Sequence, residues 1–143
     1  MQVSVLLQTK GTDVVTVPPD ATIAEVAVVL AERRIGAVVV TDDGRTIAGV
    51  LSERDIVRAF ARPGEVRDAT AASLMTAEVV TCEPDTTVDE LMATMTDRRI
   101  RHVPVLVDGS LAGLVSIGDV VKHHIATLEH ERQAMHDYIA HPF

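Results

Sequence analysis

The chain has 143 residues, of which 47% are hydrophobic and 24% charged, a composition typical of one compact domain or of two small domains that share a core. Only 2% of the residues are aromatic and the net charge is −8, which excludes base stacking on single-stranded nucleic acid and electrostatic binding to DNA or anionic membranes. No apolar run approaches a membrane span, and the first residues lack a signal-peptide pattern. With a single cysteine, Cys82, and hence no internal disulfide, we expect a cytoplasmic protein.

Two stretches, residues 16–57 and 81–121, have similar sequences, and we call them the first copy and the second copy. Identical residues recur at matching places, from Thr16 and Thr81 near the start to Asp55 and Asp119 near the end. This similarity indicates an internal duplication. Because a unit of about 45 residues can hardly bury its own sheet face, we expect the two copies to pack together about a pseudo-twofold axis.

Each copy has the pattern strand, helix, strand, strand, helix, and residues 1–11 before the first copy predict a short helix and a loop. Capping boxes, in which a threonine hydroxyl and a glutamate three residues later satisfy free backbone amides, mark the first helix of each copy. They are Thr22-x-x-Glu25 and Thr87-x-x-Glu90. In chain order, the other predicted elements are strands at Val14–Val17, Ala37–Thr41 and Ile47–Leu51, a helix from Ser52, strands at Val79–Cys82, Val103–Val107 and Leu111–Val115, and a helix from Ser116, with hairpin turns at Asp43-Gly44 and Asp108-Gly109.

The end of the chain, residues 120–141, has the pattern of one long helix. Its apolar residues Ile125, Leu128, Met135 and Ile139 keep roughly heptad spacing. This stripe either docks on the body of its own chain or contacts a second subunit. The sequence therefore divides into a first unit at 8–62, a linker at 63–76, a second unit at 77–127 and a helical extension at 128–143.

The frame Gly-x-x-Ser-x-x-Asp ends the third strand of each copy and begins its second helix. A serine hydroxyl beside the free amides of a helix start suits a phosphate or hydroxyl group, and an aspartate in the same turn can accept hydrogen bonds from the two hydroxyls of a ribose. Ser52 and Asp55 form this pair in the first copy, and Ser116 and Asp119 form it in the second. The alternative is a capping box with no ligand, since Ser-x-x-Asp also satisfies that pattern.

The two candidate sites carry different positive charges. The first copy has Arg54 inside the helix start, where the second copy has a glycine, and the second copy has Arg101 and His102 at the start of its second strand. We therefore expect the arginine of the first copy to serve one site and Arg101 and His102 to serve the other. The spacing of the six histidines predicts no metal site, and no nucleophile and base pair indicates an enzyme.

Taken together, these motifs resemble a tandem pair of CBS domains over roughly residues 8–125. The residues that carry the resemblance are the segments 35–39 and 49–55 in the first copy and 100–104 and 113–119 in the second. The resemblance implies an α+β fold of two pseudo-twofold related β-α-β-β-α units packed through their sheets into one module. It also implies two clefts that bind adenosine-containing ligands, and dimers formed through helical faces.

The resemblance assigns roles to single residues of this chain. Asp55 and Asp119 would hold ribose hydroxyls, and Ser52 and Ser116 would contact phosphate or ribose. Other residues would line the clefts around the purine and the phosphates: Val15, Ile35, Gly36, Ala37, Arg54, Val80, Ile100, Arg101, His102 and Pro104, with Val39 replacing in the first copy the proline that Pro104 keeps in the second.

The function predicted from the sequence is a non-catalytic regulatory module that senses AMP, ADP or ATP, with NAD and S-adenosylmethionine as further candidates and no cofactor required. Ligand binding would change the angle between the halves or the packing of a homodimer, and an effector protein, which the sequence does not identify, would respond to that change. The alternative function is a dimeric protein-interaction scaffold with vestigial clefts. Neither function involves nucleic acid or a membrane.

Overall fold

The computed structural model describes residues 1–140 of the chain, so the last three residues of the predicted helical extension lie outside it. The two copies fold with the same order of elements, except that the first strand of the second copy is reduced to a single bridge. In chain order these elements are α1 (Val3–Lys10), β1 (Thr16–Val17), α2 (Ile23–Arg33), β2 (Ala37–Val40), β3 (Gly49–Ser52), α3 (Glu53–Phe60), α4 (Ala71–Leu74), α5 (Val88–Arg98), β4 (His102–Val107), β5 (Ser110–Ser116) and α6 (Ile117–Ala140).

Each copy has a small sheet. In the first copy, β2 pairs in parallel with β1 and antiparallel with β3. In the second copy, β4 and β5 form an antiparallel hairpin, and the predicted first strand is reduced to a single parallel bridge between Cys82 and Val105. The prediction of a strand over Val79–Cys82 was therefore too long. Val79 and Val80 leave the sheet and line a cavity that is described below.

The predicted capping boxes are confirmed at both long internal helices. The hydroxyl of Thr22 accepts the amide of Glu25 at 3.2 Å, and Thr87 does the same for Glu90 at 3.1 Å. At the other end, Arg34 after α2 and Arg99 after α5 adopt the left-handed conformation with φ of 54°. Because a left-handed residue ends a helix sharply, the chain passes within a few residues from α2 into β2 and from α5 into β4.

Two hydrophobic clusters form the core, one for each copy. The first cluster contains the apolar face of α2 together with β2 and Leu51, and Val38 and Leu51 are fully buried. The second cluster contains the corresponding face of α5 and the hairpin, and it also includes Val3, Leu6 and Leu7 of α1. The amino-terminal helix therefore packs on the second copy rather than on the first.

Helices α1 and α4 occupy equivalent places on opposite copies. The amides of Val3 and Ser4 donate to carbonyls of the second copy at 2.8 and 2.9 Å, and those of Ala71 and Ala72 donate to the first copy at 2.7 and 3.0 Å. The duplication thus includes residues 2–7 and 70–75, which the sequence analysis placed outside it. Each copy is completed by a segment that precedes the other copy or joins the two.

Both helices lie directly above a glycine of the third strand. A Cβ on Gly49 would stand 2.5 Å from Met75 Sδ and 2.8 Å from the carbonyl oxygen of Thr76. A Cβ on Gly113 would stand 2.8 Å from Leu7 Cδ2. These distances are shorter than any normal carbon contact, so each glycine is needed for close approach of the segment above it.

Helix α6 is one continuous helix of 24 residues that extends beyond the body of the protein. Val120 is buried near its start, whereas every residue from Leu128 to Ala140 is exposed. Ile125, Leu128, Met135 and Ile139 are each more than half exposed. The alternative that this stripe docks on the body of its own chain is therefore wrong.

Candidate functional site

A cavity of about 450 Å³ lies where the start of α3 in the first copy faces the start of β4 in the second copy, and we call it the first cleft. Its volume is in the usual range for small-molecule sites. The first cleft brings together many of the residues that the sequence analysis selected, namely Gly36, Ser52, Arg54, Asp55, Val80, Ile100, Arg101 and His102.

The cleft combines residues of both copies. Arg101 and His102 were expected to serve the site of their own copy, with Ser116 and Asp119. The structure instead places them in the first cleft beside Ser52 and Asp55. The sequence does not show how the two units face each other, so the charges of each copy were expected to serve that copy's own site. A ligand in the first cleft would contact both copies.

Ser52 and Asp55 form a complete capping box at the start of α3. Asp55 Oδ2 accepts the amide of Ser52 at 2.9 Å and its hydroxyl at 3.0 Å, and the amide of Asp55 donates back to Ser52 Oγ at 3.2 Å. The capping alternative is therefore realised in the structure. It does not consume the whole carboxylate, because both hydrogen bonds that the carboxylate accepts go to Oδ2.

The second oxygen of Asp55 decides what the site can still bind. Among residues 1–140, no group donates a hydrogen bond to Asp55 Oδ1. A carboxylate oxygen has two lone pairs, so Oδ1 retains the capacity to accept two hydroxyl groups. The cap also fixes the orientation of the carboxylate beside the cavity. Capping and binding of a vicinal diol are therefore compatible at Asp55.

The counterpart of this arrangement is the start of α6 with Ser116 and Asp119, which we call the second site. Asp119 Oδ2 accepts the amide of Ser116 at 2.8 Å and its hydroxyl at 2.9 Å, as in the first copy. The same oxygen also accepts Lys10 Nζ from α1 at 2.5 Å. Partial burial alone would raise the pKa of Asp119, but hydrogen bonds from Lys10 and Ser116 lower it below its usual value.

His102 lies between the two sites. A Cβ on Gly36, which lines the first cleft, would be 3.2 Å from the His102 ring and 3.3 Å from Glu53 Oε1. Burial lowers the pKa of His102 and the charge of Lys10 lowers it further, against the opposing effect of Glu53 and Asp119. The imidazole is therefore neutral at pH 7 and has one donor and one acceptor nitrogen.

The charge of the first cleft differs from that of the whole chain. Four arginines line it, against three carboxylates, whereas the chain has a net charge of −8. The arginines are Arg54, Arg58, Arg99 and Arg101. Arg54 also donates to the carbonyl of Arg99 at 3.3 Å, which links the two copies across the cleft. Guanidinium groups bind phosphate oxygens well, so the cleft has the character of an anion site.

Several predicted residues lie outside this cavity. Ala37 and Pro104 are buried within strands, and the carbonyl of Pro104 accepts the amide of Cys82. Val15 and Ile35 are half-buried and pack against the first core cluster. Val39 is fully buried. Their predicted contacts with a purine stay predictions.

The sequence analysis missed other residues of the first cleft. These are Val50, Glu53, Val57, Arg58, Thr76, Glu78, Val79 and Arg99. The helical period identifies part of this set, because Val57 and Arg58 follow the predicted Arg54 by three and four residues, one turn of α3. Nothing in the local sequence indicated that the linker residue Thr76 would reach the cavity.

Comparison with known proteins identifies the family. The family model of the CBS domain matches twice, over residues 9–62 and 67–125. The chain belongs to the CBS domain family. A crystal structure of a CBS-domain containing protein from Agrobacterium tumefaciens is 48% identical with a TM-score of 0.83, and the match covers 87% of this chain and 99% of that one. The expected α+β fold of two CBS units is thereby confirmed.

Two further comparisons concern length and ligands. The mitochondrial CBS domain-containing protein CBSX3 of Arabidopsis thaliana is 36% identical over 125 residues, and the match covers 84% of this chain but only 61% of that protein. The CBS domain pair of protein MJ0100 was solved in complex with 5′-methylthioadenosine and S-adenosyl-L-methionine. It is 25% identical with a TM-score of 0.77, and the match covers 87% of this chain and 99% of that chain.

The part of this CBS pair that the structure describes was searched for metal-binding groups and for membrane-spanning helices. Within residues 1–140, no group of three or more His, Cys, Asp or Glu side chains is placed to hold a metal ion. Over the same range, each helix is too short or too polar to cross a lipid bilayer. Cys82 is buried, and burial raises the pKa of its thiol to about 11, so it is not a reactive nucleophile.

Proposed function

We propose that this CBS pair is a non-catalytic regulatory module that binds an adenosine-containing ligand in the first cleft. The observation that carries the proposal is the free Oδ1 of Asp55, held by its cap beside a cavity with four arginines. The carboxylate suits the ribose hydroxyls and the arginines suit phosphate groups. We expect AMP, ADP or ATP to bind most tightly because each ends in a terminal phosphate group, which NAD and S-adenosylmethionine, the next candidates, lack.

The position of the cleft also suggests how binding would be transmitted. Ser52 and Asp55 belong to the first copy, whereas Ile100, Arg101 and His102 belong to the second. A ligand that contacts both copies stabilises the arrangement in which both sets of contacts are made, so it shifts the angle between the units. An effector protein would respond to that shift. This effector and the cytoplasmic location stay predictions.

Titration calorimetry with AMP, ATP, NAD and S-adenosylmethionine tests the proposal. We expect at least one of them to bind and to leave the nucleotide unchanged after long incubation. Mass spectrometry of small molecules released from the purified protein would identify a ligand that co-purifies. If none of the four compounds binds, the clefts are vestigial and the scaffold alternative is correct. Turnover of any nucleotide would contradict the non-catalytic assignment.

We further propose that two copies of the chain pair through α6. At a rise of 1.5 Å per residue the helix is about 36 Å long, and its outer half contacts nothing else among residues 1–140. A free helical segment of this length is marginal in water unless its apolar face is covered. That face consists of Val121, Ile125, Leu128, Met135 and Ile139, which are between 47% and 69% exposed. They follow one another at spacings of four, three, seven and four residues, which fit a heptad pattern with one apolar position missing.

The charges beside this stripe favour a parallel pair of helices. In parallel register, His124 of one copy faces Glu129 of the other, and Glu131 faces His136. An antiparallel pair would place Glu129 against Glu129 and Glu131 against Glu131, which is repulsive. Arg132 is the one charged residue within the stripe, and a single polar residue at such a position commonly sets the register of two strands.

Substitution of the stripe tests the pairing. We expect the double variant Leu128→Glu, Met135→Glu to be monomeric under conditions where the unmodified chain is a dimer, because it places four carboxylates in the seam. Light scattering after size-exclusion chromatography measures the mass. His130→Glu, on the opposite face of the same helix, is the matched control and should remain dimeric. A double variant that keeps the dimer mass would show that α6 is not the interface.

A further inference from the structure

The apolar stripe of α6 is flanked by histidines and glutamates. In a heptad pattern the positions e and g lie beside the apolar seam and face the partner helix. With Ile125 at position a, every e and g position between residues 124 and 137 holds one of these two residue types. The residues are His124, Glu129, Glu131 and His136. No lysine or arginine occupies an e or g position over this range, so any positive charge there comes from histidine.

Within one chain, these four side chains have no ionic partner. All four are exposed, as is every other residue from Leu128 to Ala140. Among residues 1–140 the one ion pair joins Lys10 to Asp119, near the start of α6. The helices that pack on α6 do so around the buried Val120. The flanking histidines and glutamates are therefore free to interact with a second helix.

In the parallel pair proposed above, each contact between these positions joins a histidine to a glutamate. His124 faces Glu129 of the other copy, and Glu131 faces His136 of the other copy, and symmetry makes each contact occur twice. A neutral histidine forms no ion pair with a glutamate, whereas a protonated histidine does. The pair of helices therefore gains its cross-helix ion pairs only when the histidines are protonated.

Arg132, which lies within the stripe, makes the two kinds of contact unequal. It precedes His136 by four residues on the same helix, so its charge opposes the protonation of His136. It follows Glu129 by three residues and attracts that carboxylate in the monomer and in the dimer alike. No charged residue lies three or four positions from His124. We therefore expect His124 to contribute more than His136.

We infer that α6 is a proton-sensitive interface, in which protonation of His124 and His136 strengthens the pairing of two copies of the chain. This inference rests on the proposed pairing through α6 and adds a means of regulating it. A histidine ordinarily gains its charge near pH 6.5, so the dimer should become more stable as the pH falls from about 7.5 to about 5.5. Below about pH 4.5 the glutamates become protonated as well and the gain is lost.

Sedimentation equilibrium of the full chain at about pH 8 and about pH 6 tests the inference. Each exposed ion pair strengthens the dimer by a factor of about two, so we expect the dissociation constant to be about five- to tenfold lower at the lower pH. In the double variant His124→Gln, His136→Gln the ratio should fall below about twofold. His124→Gln alone should remove most of the effect.

Two further variants control for the general loss of negative charge in acid. His123→Gln, His130→Gln removes the same number of histidines from the opposite face of α6, and it should keep the full dependence on pH. His124→Lys carries a positive charge at both pH values. It should dimerise more tightly than the unmodified chain at about pH 8, and its dissociation constant should change less with pH.

The outcomes separate this inference from the pairing on which it rests. If the dimer dissociates equally at both pH values, or if the variant without His124 and His136 keeps the full ratio, the inference is overturned while the pairing through α6 stands. If the chain is monomeric at both pH values, or if Leu128→Glu, Met135→Glu keeps the dimer mass, the pairing and the inference are both overturned.

Discussion

Replacing Asp55 by asparagine is expected to weaken ligand binding in the first cleft strongly while leaving the fold intact. The side-chain oxygen of asparagine can still accept the amide and hydroxyl of Ser52, so the cap of α3 is retained. The NH₂ group then replaces Oδ1, and a ribose hydroxyl loses its charged acceptor and meets a donor. Each lost bond to a charged group is worth about 1.5–3 kcal/mol, so binding of AMP should weaken by roughly 100-fold or more.

Calorimetry with AMP measures this effect, and urea unfolding followed by circular dichroism measures the stability. The matched control is Glu25→Gln, which makes the same chemical change in the capping box of α2 outside the cleft. That variant should lose a similar small amount of stability and keep its affinity for AMP. If Asp55→Asn also keeps the affinity, the carboxylate is only a helix cap and the ribose assignment is wrong.

Among substitutions that add a single methyl group, Gly49→Ala is expected to cause the largest loss of stability. The new Cβ would lie 2.5 Å from Met75 Sδ and 2.8 Å from the backbone oxygen of Thr76. The methionine side chain can move aside, but the Thr76 backbone is tied to β3 by hydrogen bonds with Val50 at 2.9 and 3.0 Å. We expect a loss of about 2–3 kcal/mol, at the upper end of overpacking costs. Since Thr76 also lines the first cleft, binding should weaken as well.

Two other glycines serve as comparisons in the same urea experiment. Gly113→Ala meets only the flexible end of Leu7 at 2.8 Å, so it should cost less than Gly49→Ala. Gly118 lies in the first turn of α6 with no close neighbour beyond Ser116 Oγ at 3.5 Å. Its change to alanine should raise stability by about 0.5–1 kcal/mol, because glycine is unfavourable within a helix. Equal losses at Gly49 and Gly113 would contradict the role given to Thr76.

Much of the fold follows from local sequence patterns. The capping boxes at Thr22 and Thr87 and the Asp108-Gly109 turn depend on residues within a few positions of each other, and the structure has them where the sequence predicts. The hairpin turn predicted at Asp43-Gly44 is wrong, because these residues lie in a longer loop between β2 and β3. The duplication then predicts the second half from the first. The pattern fails at Val79–Cys82, because the length of an edge strand depends on what the neighbouring residues contact.

The arrangement of the site could be predicted only in part. Ser52 and Asp55 are close in sequence, so their geometry is local and the motif identifies it. The contribution of Arg101 and His102 to the same cleft depends on how the copies face each other, which no local pattern contains. Lys10 is the clearest case, because 109 residues separate it from Asp119. A lysine that is solvated at the end of a helix and a lysine that pairs with a distant carboxylate look the same in the local sequence.

The exchange of α1 and α4 between the halves has a consequence for synthesis. The carbonyl of Met1 accepts the amide of Val88, and that of Ala69 accepts the amide of Ile23. Helix α1 therefore has no docking surface until the second copy, which follows the whole of the first copy in the chain, has been made. Such long sequence separations slow folding. They also tie the two halves into one cooperative unit, so a fragment with either half alone would lack a piece of its own core.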